Sequence, residues 1–242
     1  MKKLIHKTLN KISSVYSHIR LPSYYGTYWI TPKPKYFSQF VSIYPASITP
    51  KKILTNKKDI KEFGAKDGKE FTFWAWRDCG IACVKMILAT KNKAKKKTIM
   101  ELTKEGVELG GYILYKNGKF VDEGWFHRPL SRLLRRNGVI ARTKKWQSIE
   151  SVASDILRNR LVILSLKLPS RPTIKEDGSF EPKKNAEYTG HLVLATGVKM
   201  NGKNVEGIFV HDPRGLKKYQ KNTWIPYNTL NKVFTNRTVV TD

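Results

Sequence analysis

Apolar and polar positions recur with two different periods along the chain, and the changeover divides it. At the N-terminus Ile5, Leu9, Ile12, Val15 or Tyr16, and Ile19 fall at helical spacing, with Lys3, Lys7, Lys11 and Arg20 among the intervening positions. This predicts a basic amphipathic helix that Pro22 ends. From 23 to 60, short runs of Val, Ile, Tyr and Phe are broken by prolines, as in YYGTYWITPKPKYF. Such runs suit short edge strands or an ordered arm. Residues 61–70 read as a charged, glycine-containing connector, and FTFWAW (71–76) as loop or strand. Helical spacing then returns at Ile81, Val84 or Lys85, and Leu88. Asp is a favourable N-cap, so this helix is expected to start at Asp78 or Cys79. A second helix is expected over Thr98–Leu109, closed by Gly110–Gly111.

Beyond this point strand signals dominate. Asn117–Gly118 between apolar runs predicts a hairpin. PLSRLLRRNG reads as a helix with Gly138 at its C-terminal end, VIARTKKW as a strand, SIESVASDILRN as a helix and LVILSLKL as a buried strand. Residues 169–189 form a polar stretch expected to be a functional or mobile loop. HLVLATGV and VEGIFVHD are two strands joined through Asn201–Gly202; PYNTLNKVF is a short helix and RTVVT a last strand. A helix-rich half followed by consecutive hairpins predicts an α+β fold with an antiparallel sheet. The expected division is an N-terminal extension over 1–65 and one domain over 66–242.

Charge adds a partner class. With 46 basic and 19 acidic residues the formal net charge is +27, which favours an anionic partner. The basic residues are scattered, and no zinc-finger, homeodomain or RNA-sheet signature accompanies them, so no specific nucleic-acid motif is present. The basic N-terminal helix suits an anionic surface. No run approaches 18 apolar residues and the N-terminus lacks an apolar signal core, so the expected location is cytoplasmic, or peripheral at a membrane.

The two cysteines, Cys79 and Cys83, lie four residues apart on one helix face, poorly aimed at each other for a disulfide. Cys79 stands at the helix start, where the dipole favours a thiolate, and Cys83 one turn deeper toward the core. Of the five histidines, His191 opens an apolar strand just after Gly190, and Asp212 ends the next strand; a hairpin brings the two together. His6, His18 and His127 read as surface residues. Cys, His and Asp in this order suit a nucleophile, a base and a group that orients the base. A metal site of Cys79, Cys83, His191 and His211 competes, but requires Cys83 to turn outward.

DCGIACVKMIL, GHLVLATGVK and IFVHDPRG together resemble the bacteriocin-processing, double-glycine leader peptidase family and its free-standing relatives, over about 71–242. The resemblance implies a papain-like cysteine peptidase fold, with the nucleophile helix packed on an antiparallel sheet. It implies a peptide or protein substrate; no cofactor and no metal are expected. Cys79 becomes the nucleophile, His191 the general base and acid, and Asp212 the orienting residue; hydrolysis runs through a thioester, which an amine in place of water would turn into transpeptidation. The family places a glutamine six residues before its cysteine to bind the oxyanion; here that position is Phe73. Trp74, Trp76 and Arg77 are the side-chain candidates to replace it, and Gly80 and Gly190 candidates for substrate contact. Trp125 joins Trp74 and Trp76 as a candidate groove aromatic. The exporter span and phosphate loop of the family's fused members have no counterpart in the sequence. The alternative is a weak or inactive peptidase-like domain that binds peptides or an anionic partner.

Overall fold

The structure, a computed structural model, describes residues 2–42, 44, 50–169, 173–174, 180–181, 188–214 and 220–242, so most of the 169–189 loop lies outside the described residues. In chain order the first elements are α1 (Lys2–Arg20), β1 (Tyr24–Trp29), α2 (Lys57–Phe63), α3 (Gly68–Ala75), α4 (Cys79–Thr90) and α5 (Ile99–Glu108). The hairpin β2 (Tyr115–Lys116) and β3 (Lys119–Phe120) follows, then α6 (His127–Arg136), β4 (Ala141–Lys145), α7 (Ile149–Leu157) and β5 (Val162–Pro169). The last elements are β6 (Thr173–Ile174), β7 (Phe180–Glu181), β8 (Tyr188–Gly202), β9 (Asn204–His211), β10 (Thr223–Pro226), α8 (Tyr227–Val233) and β11 (Phe234–Thr241). This is the α+β arrangement of helices and antiparallel sheet that the sequence predicts.

The main sheet runs β10-β9-β8-β5-β11-β4, every pair antiparallel, and β1 joins it beside β8. Helix α4 packs on β8, α6 on β4 and β11, and α7 and α8 on β5, β8 and β9. One apolar core links these layers, including Leu21, Ile30, Phe40 and Leu54 from the N-terminal segment. That segment is therefore part of the folded body: β1 pairs Tyr24–Trp29 with Gly197–Gly202. A Cβ on Gly197 would lie 2.7 Å from the Trp29 ring and from the Tyr28 carbonyl, so only glycine lets β1 approach this closely.

Two readings of the sequence need correction. Residues 57–63, partly assigned to a connector, are α2: Asn56 caps it by accepting from the backbone N–H groups of Lys58 and Asp59. FTFWAW is neither loop nor strand but the body of α3. Its signal is the Asp67–Glu70 spacing: Asp67 accepts from Glu70 N, and the Glu70 carboxylate accepts from Lys66 N. Phe71 and Ala75, four residues apart, bury one face, and this tertiary burial overrides the strand preference of the aromatics.

Helix α4 is apolar on nearly all sides, because neighbours surround it; from Gly80 to Thr90 only Lys85 is not buried. Gly80 shows how close the packing is: an added Cβ would stand 2.9 Å from Leu192 Cδ1, 3.1 Å from Trp125 Cβ and 3.2 Å from Leu130 Cδ1. Gly80 thus admits β8 and Trp125 to the helix rather than a substrate backbone. Gly80→Ala is expected to destabilise the fold by about 1–3 kcal/mol through overpacking. Urea unfolding of the variant against the parent checks this, and an unchanged midpoint would contradict it.

Candidate active site

Helix α4 presents Cys79 in its first turn, half-buried, and Cys83 one turn deeper, fully buried. Both face β8 at Leu192. The Cys83 thiol donates to the Leu192 carbonyl at 3.5 Å, and the backbone N–H groups of Leu192 and Gly80 point at the Cys79 sulfur. Burial pushes the Cys79 thiol up to about 11; the nearby Asp78 and Asp212 carboxylates push the same way, and the two N–H groups offset only part. The resting form is a neutral thiol, not the thiolate that a helix start alone would favour.

Asp78 occupies the N-cap position of α4 but makes no side-chain cap. Its carboxyl is buried and accepts from the Thr103 hydroxyl at 2.7 Å. Burial raises its pKa well above the carboxylate range, against the pull of Thr103, Trp125 and Arg77.

His191 is the residue before Leu192 on β8 and is buried. Its Nε2 lies 2.8 Å from Asp212 Oδ1. An ionised carboxylate can only accept, so Nε2 carries the proton and Nδ1 keeps its lone pair. Burial draws the His191 pKa below its ordinary value; Asp212 opposes this and Arg214 adds to it. The imidazole is neutral at pH 7.

Asp212 is held from the opposite side by a residue that the sequence reading left without a role. Arg214 donates its backbone N–H to Oδ1 at 2.9 Å, Nε to Oδ2 at 3.0 Å and Nη2 to Oδ2 at 2.7 Å. Burial alone would raise the Asp212 pKa, but the Arg214 guanidinium, and then the hydrogen bond from His191, hold it well below the usual carboxylate range. The signal was the spacing in Asp212-Pro213-Arg214, which bends the chain so that the guanidinium folds back.

The N-terminal segment closes the back of this group. The Tyr36 hydroxyl donates to the Asp212 carbonyl at 3.1 Å, and Gln39 N donates to the Pro213 carbonyl at 2.8 Å. The buried Gln39 amide reaches the Ala75 carbonyl at 2.8 Å, tying the Asp212 turn to the end of α3. His211, one of the competing metal ligands, is engaged at both nitrogens: Asn222 N donates to Nδ1 at 3.2 Å, and Nε2 donates to the Pro34 carbonyl at 3.0 Å.

The remaining candidates separate. Phe73 packs its ring on Trp74 at 5.2 Å, with the Arg77 guanidinium 4.0 Å above it. Arg77 is committed to the Phe73 carbonyl at 2.8 Å and to Asp122 at 2.7 Å. Trp74 stacks among Tyr112 and Trp125, and Trp125 is a core residue donating Nε1 to the Arg77 carbonyl at 3.1 Å. Trp76 packs against Phe40, and its Nε1 is a buried donor with no hydrogen-bond partner. Gly190 is exposed, with nothing within 4 Å of an added Cβ. His127 is not a surface residue: it starts α6, its Nε2 is buried without a partner, and burial lowers its pKa to about 4.

Family comparison decides the affiliation. The model of the Peptidase_C39 like family matches residues 67–241. The chain belongs to this family. Its fold is a mix of helices and antiparallel sheet. Among solved structures it is similar to one described as a C39-like peptidase from Bacillus anthracis, at 15% identity and a TM-score of 0.49, covering 69% of this chain and 88% of that one. It is also similar to a double glycine motif protease from an AMS/PCAT transporter, solved with the leader peptide, at 14% identity and a TM-score of 0.38, covering 68% and 84%. No curated protein matches.

Burial lowers the pKa of His127, His191 and His211 alike. Below an unfolded value of about 6.5 the unfolded chain therefore binds more protons than the folded one. Stability from these groups is complete above that pH and is lost as pH falls below it, for His127 down to about 4. The melting temperature is expected to fall steadily from pH 7 to pH 4, and His127→Gln to flatten the decline. A melting temperature independent of pH over this interval would refute the assignment.

Proposed function

We propose that this chain is a cysteine peptidase whose Cys79 attacks a peptide carbonyl while His191 moves the proton and Asp212 holds the imidazole. The observation that carries this reading is the buried His191–Asp212 hydrogen bond of 2.8 Å, one residue from the Leu192 N–H that points at the Cys79 sulfur. With Nε2 donating to Asp212, Nδ1 is the nitrogen left to serve the thiol. Because thiol and imidazole both rest neutral, the proton passes from Sγ to Nδ1 as the sulfur attacks. The imidazolium then protonates the leaving amine, and a thioester remains on Cys79. Water, deprotonated by His191, hydrolyses that thioester and frees the carboxylate.

The tetrahedral oxyanion needs donors aimed at it. Phe73 supplies none and Arg77 is engaged elsewhere, so the backbone N–H of Cys79 and the unpartnered indole N–H of Trp76 take that role in this reading. A second reading, a peptide-binding module with little turnover, is favoured by Phe73 at the family's glutamine position together with the raised thiol pKa. In both, the substrate or ligand is a peptide, and the basic N-terminal helix adds an anionic surface as second partner.

Cleavage profiling on a peptide library separates the two. Cys79→Ala is expected to cut turnover at least about 1000-fold, the scale on which a lost nucleophile acts. A wild-type protein that binds peptides without cleaving any would establish the module instead. Alkylation by iodoacetamide, read separately at each cysteine, should rise for Cys79 as pH climbs toward about 11. Cys83 should stay inert until unfolding, and fast low-pH alkylation of Cys79 would indicate a resting ion pair. In Arg214→Met, the cation that disfavours His191 protonation is gone. The acid limb of kcat/KM is expected to move up by about one pH unit, with partial recovery in Arg214→Lys. An unmoved limb would reduce Arg214 to a structural residue.

A further inference from the structure

Helix α1 lies on the body of the protein the wrong way round for a docked amphipathic helix. It packs on α7 through its polar side: the Ser14 hydroxyl donates to the Glu150 carboxylate at 3.1 Å, and the Ser17 and Ser151 hydroxyls share a 2.6 Å hydrogen bond. Glu150 also accepts from Tyr227 at 3.0 Å, so the serine face meets a buried, satisfied polar seat. The apolar stripe points outward: Ile12 is 60% exposed, Val15 61%, Tyr16 53% and Ile19 66%. Their spacing of three and four residues puts them within one sector of about 100° on the helix surface. Sequence positions Ile5 and Leu9 continue the same register.

The charge along the helix sequence is of one sign. The helix carries Lys2, Lys3, Lys7, Lys11 and Arg20 and no acidic residue. The Arg20 guanidinium lies 4.3 Å over the Tyr16 ring, and Lys203, from the turn after β8, donates to the Ile19 carbonyl at 3.0 Å. That cation sits where the helix dipole is negative, adding a positive group at the end of the stripe. A soluble protein core would take up the apolar sector and leave the cations to water; nucleic acid would take the cations and leave the apolar sector bare. An anionic bilayer takes both, with side chains in the acyl boundary and cations at the headgroups.

We propose that α1 is a membrane-docking helix, lying in the interface of an anionic bilayer through Ile12, Val15, Tyr16 and Ile19 while its serine face stays clamped on α7. This rests on the anionic-surface reading above and gives it a lipid identity and a contact face. The body rides on the helix rather than releasing it, so the site stays assembled when bound.

The test is co-sedimentation of the full chain with mixed phosphatidylcholine–phosphatidylglycerol vesicles and with phosphatidylcholine alone, beside analytical ultracentrifugation without lipid. Binding to the anionic vesicles only, weakening with salt, is expected. Val15→Ser/Ile19→Ser, two exposed positions whose substitution should leave the melting temperature unchanged, is expected to weaken it at least about tenfold. Equal binding by the double variant would overturn the proposal by showing that charge alone acts. Absence of vesicle binding would overturn it too, and a dimer that the double variant dissolves would assign the stripe to a second copy of this chain. Peptide cleavage in solution is read separately, so either result leaves the peptidase reading standing or falling by its own experiments.

Discussion

The Asp212 carboxylate, buried at the end of β9, is the constraint on which the rest of the site depends. A buried charge is costly unless it is paired and hydrogen-bonded on every side. Here His191 takes one oxygen, Arg214 the other, and the Arg214 backbone N–H completes the set. Once the carboxylate is fixed in this way, the imidazole tautomer follows: Nε2 carries the proton and Nδ1 keeps its lone pair. The arginine has a second effect. Its charge opposes the pull of Asp212 on the His191 proton, so burial and Arg214 together draw the His191 pKa below its ordinary value.

The second constraint is mechanical. Helix α4 must deliver Cys79 to β8 at the level of His191 and Leu192, and it does so because Gly80 lets Leu192 and Trp125 come into contact with its first turn. Asp78, buried and bonded to Thr103, fixes the preceding residue to α5. Cys79 is thus positioned from below by packing and His191 from behind by charge, two supports with no residue in common.

Much of this was legible in the sequence, for reasons that also mark the limits. Periodicity located α1 and α4–α8, and turn chemistry located the β2–β3 and β8–β9 hairpins, because those signals are local. Cys79, His191 and Asp212 emerged because residue type, order and strand ends coincide. Helix α3 was missed because its aromatics favour strands and its capping pair sits outside the run that draws attention. Arg214 was missed because only the folded turn shows that its side chain returns to Asp212. Gly80 was read as an opening for substrate, although the space it leaves is already filled. The partnership of Tyr36 and Gln39 with residues 75, 212 and 213 spans distances in sequence that no periodic pattern encodes.

The pairing of β1 with β8 has a consequence for the integrity of the sheet. The family match begins at residue 67, yet the half of β8 from Gly197 to Gly202 has β9 on one side and β1 on the other. Without residues 24–29 that stretch would be a bare edge, a row of unpaired backbone donors and acceptors open to strands of other chains. The N-terminal segment therefore acts as a guard strand, and a fragment trimmed to the family boundary would be prone to aggregate through the very strand that carries His191.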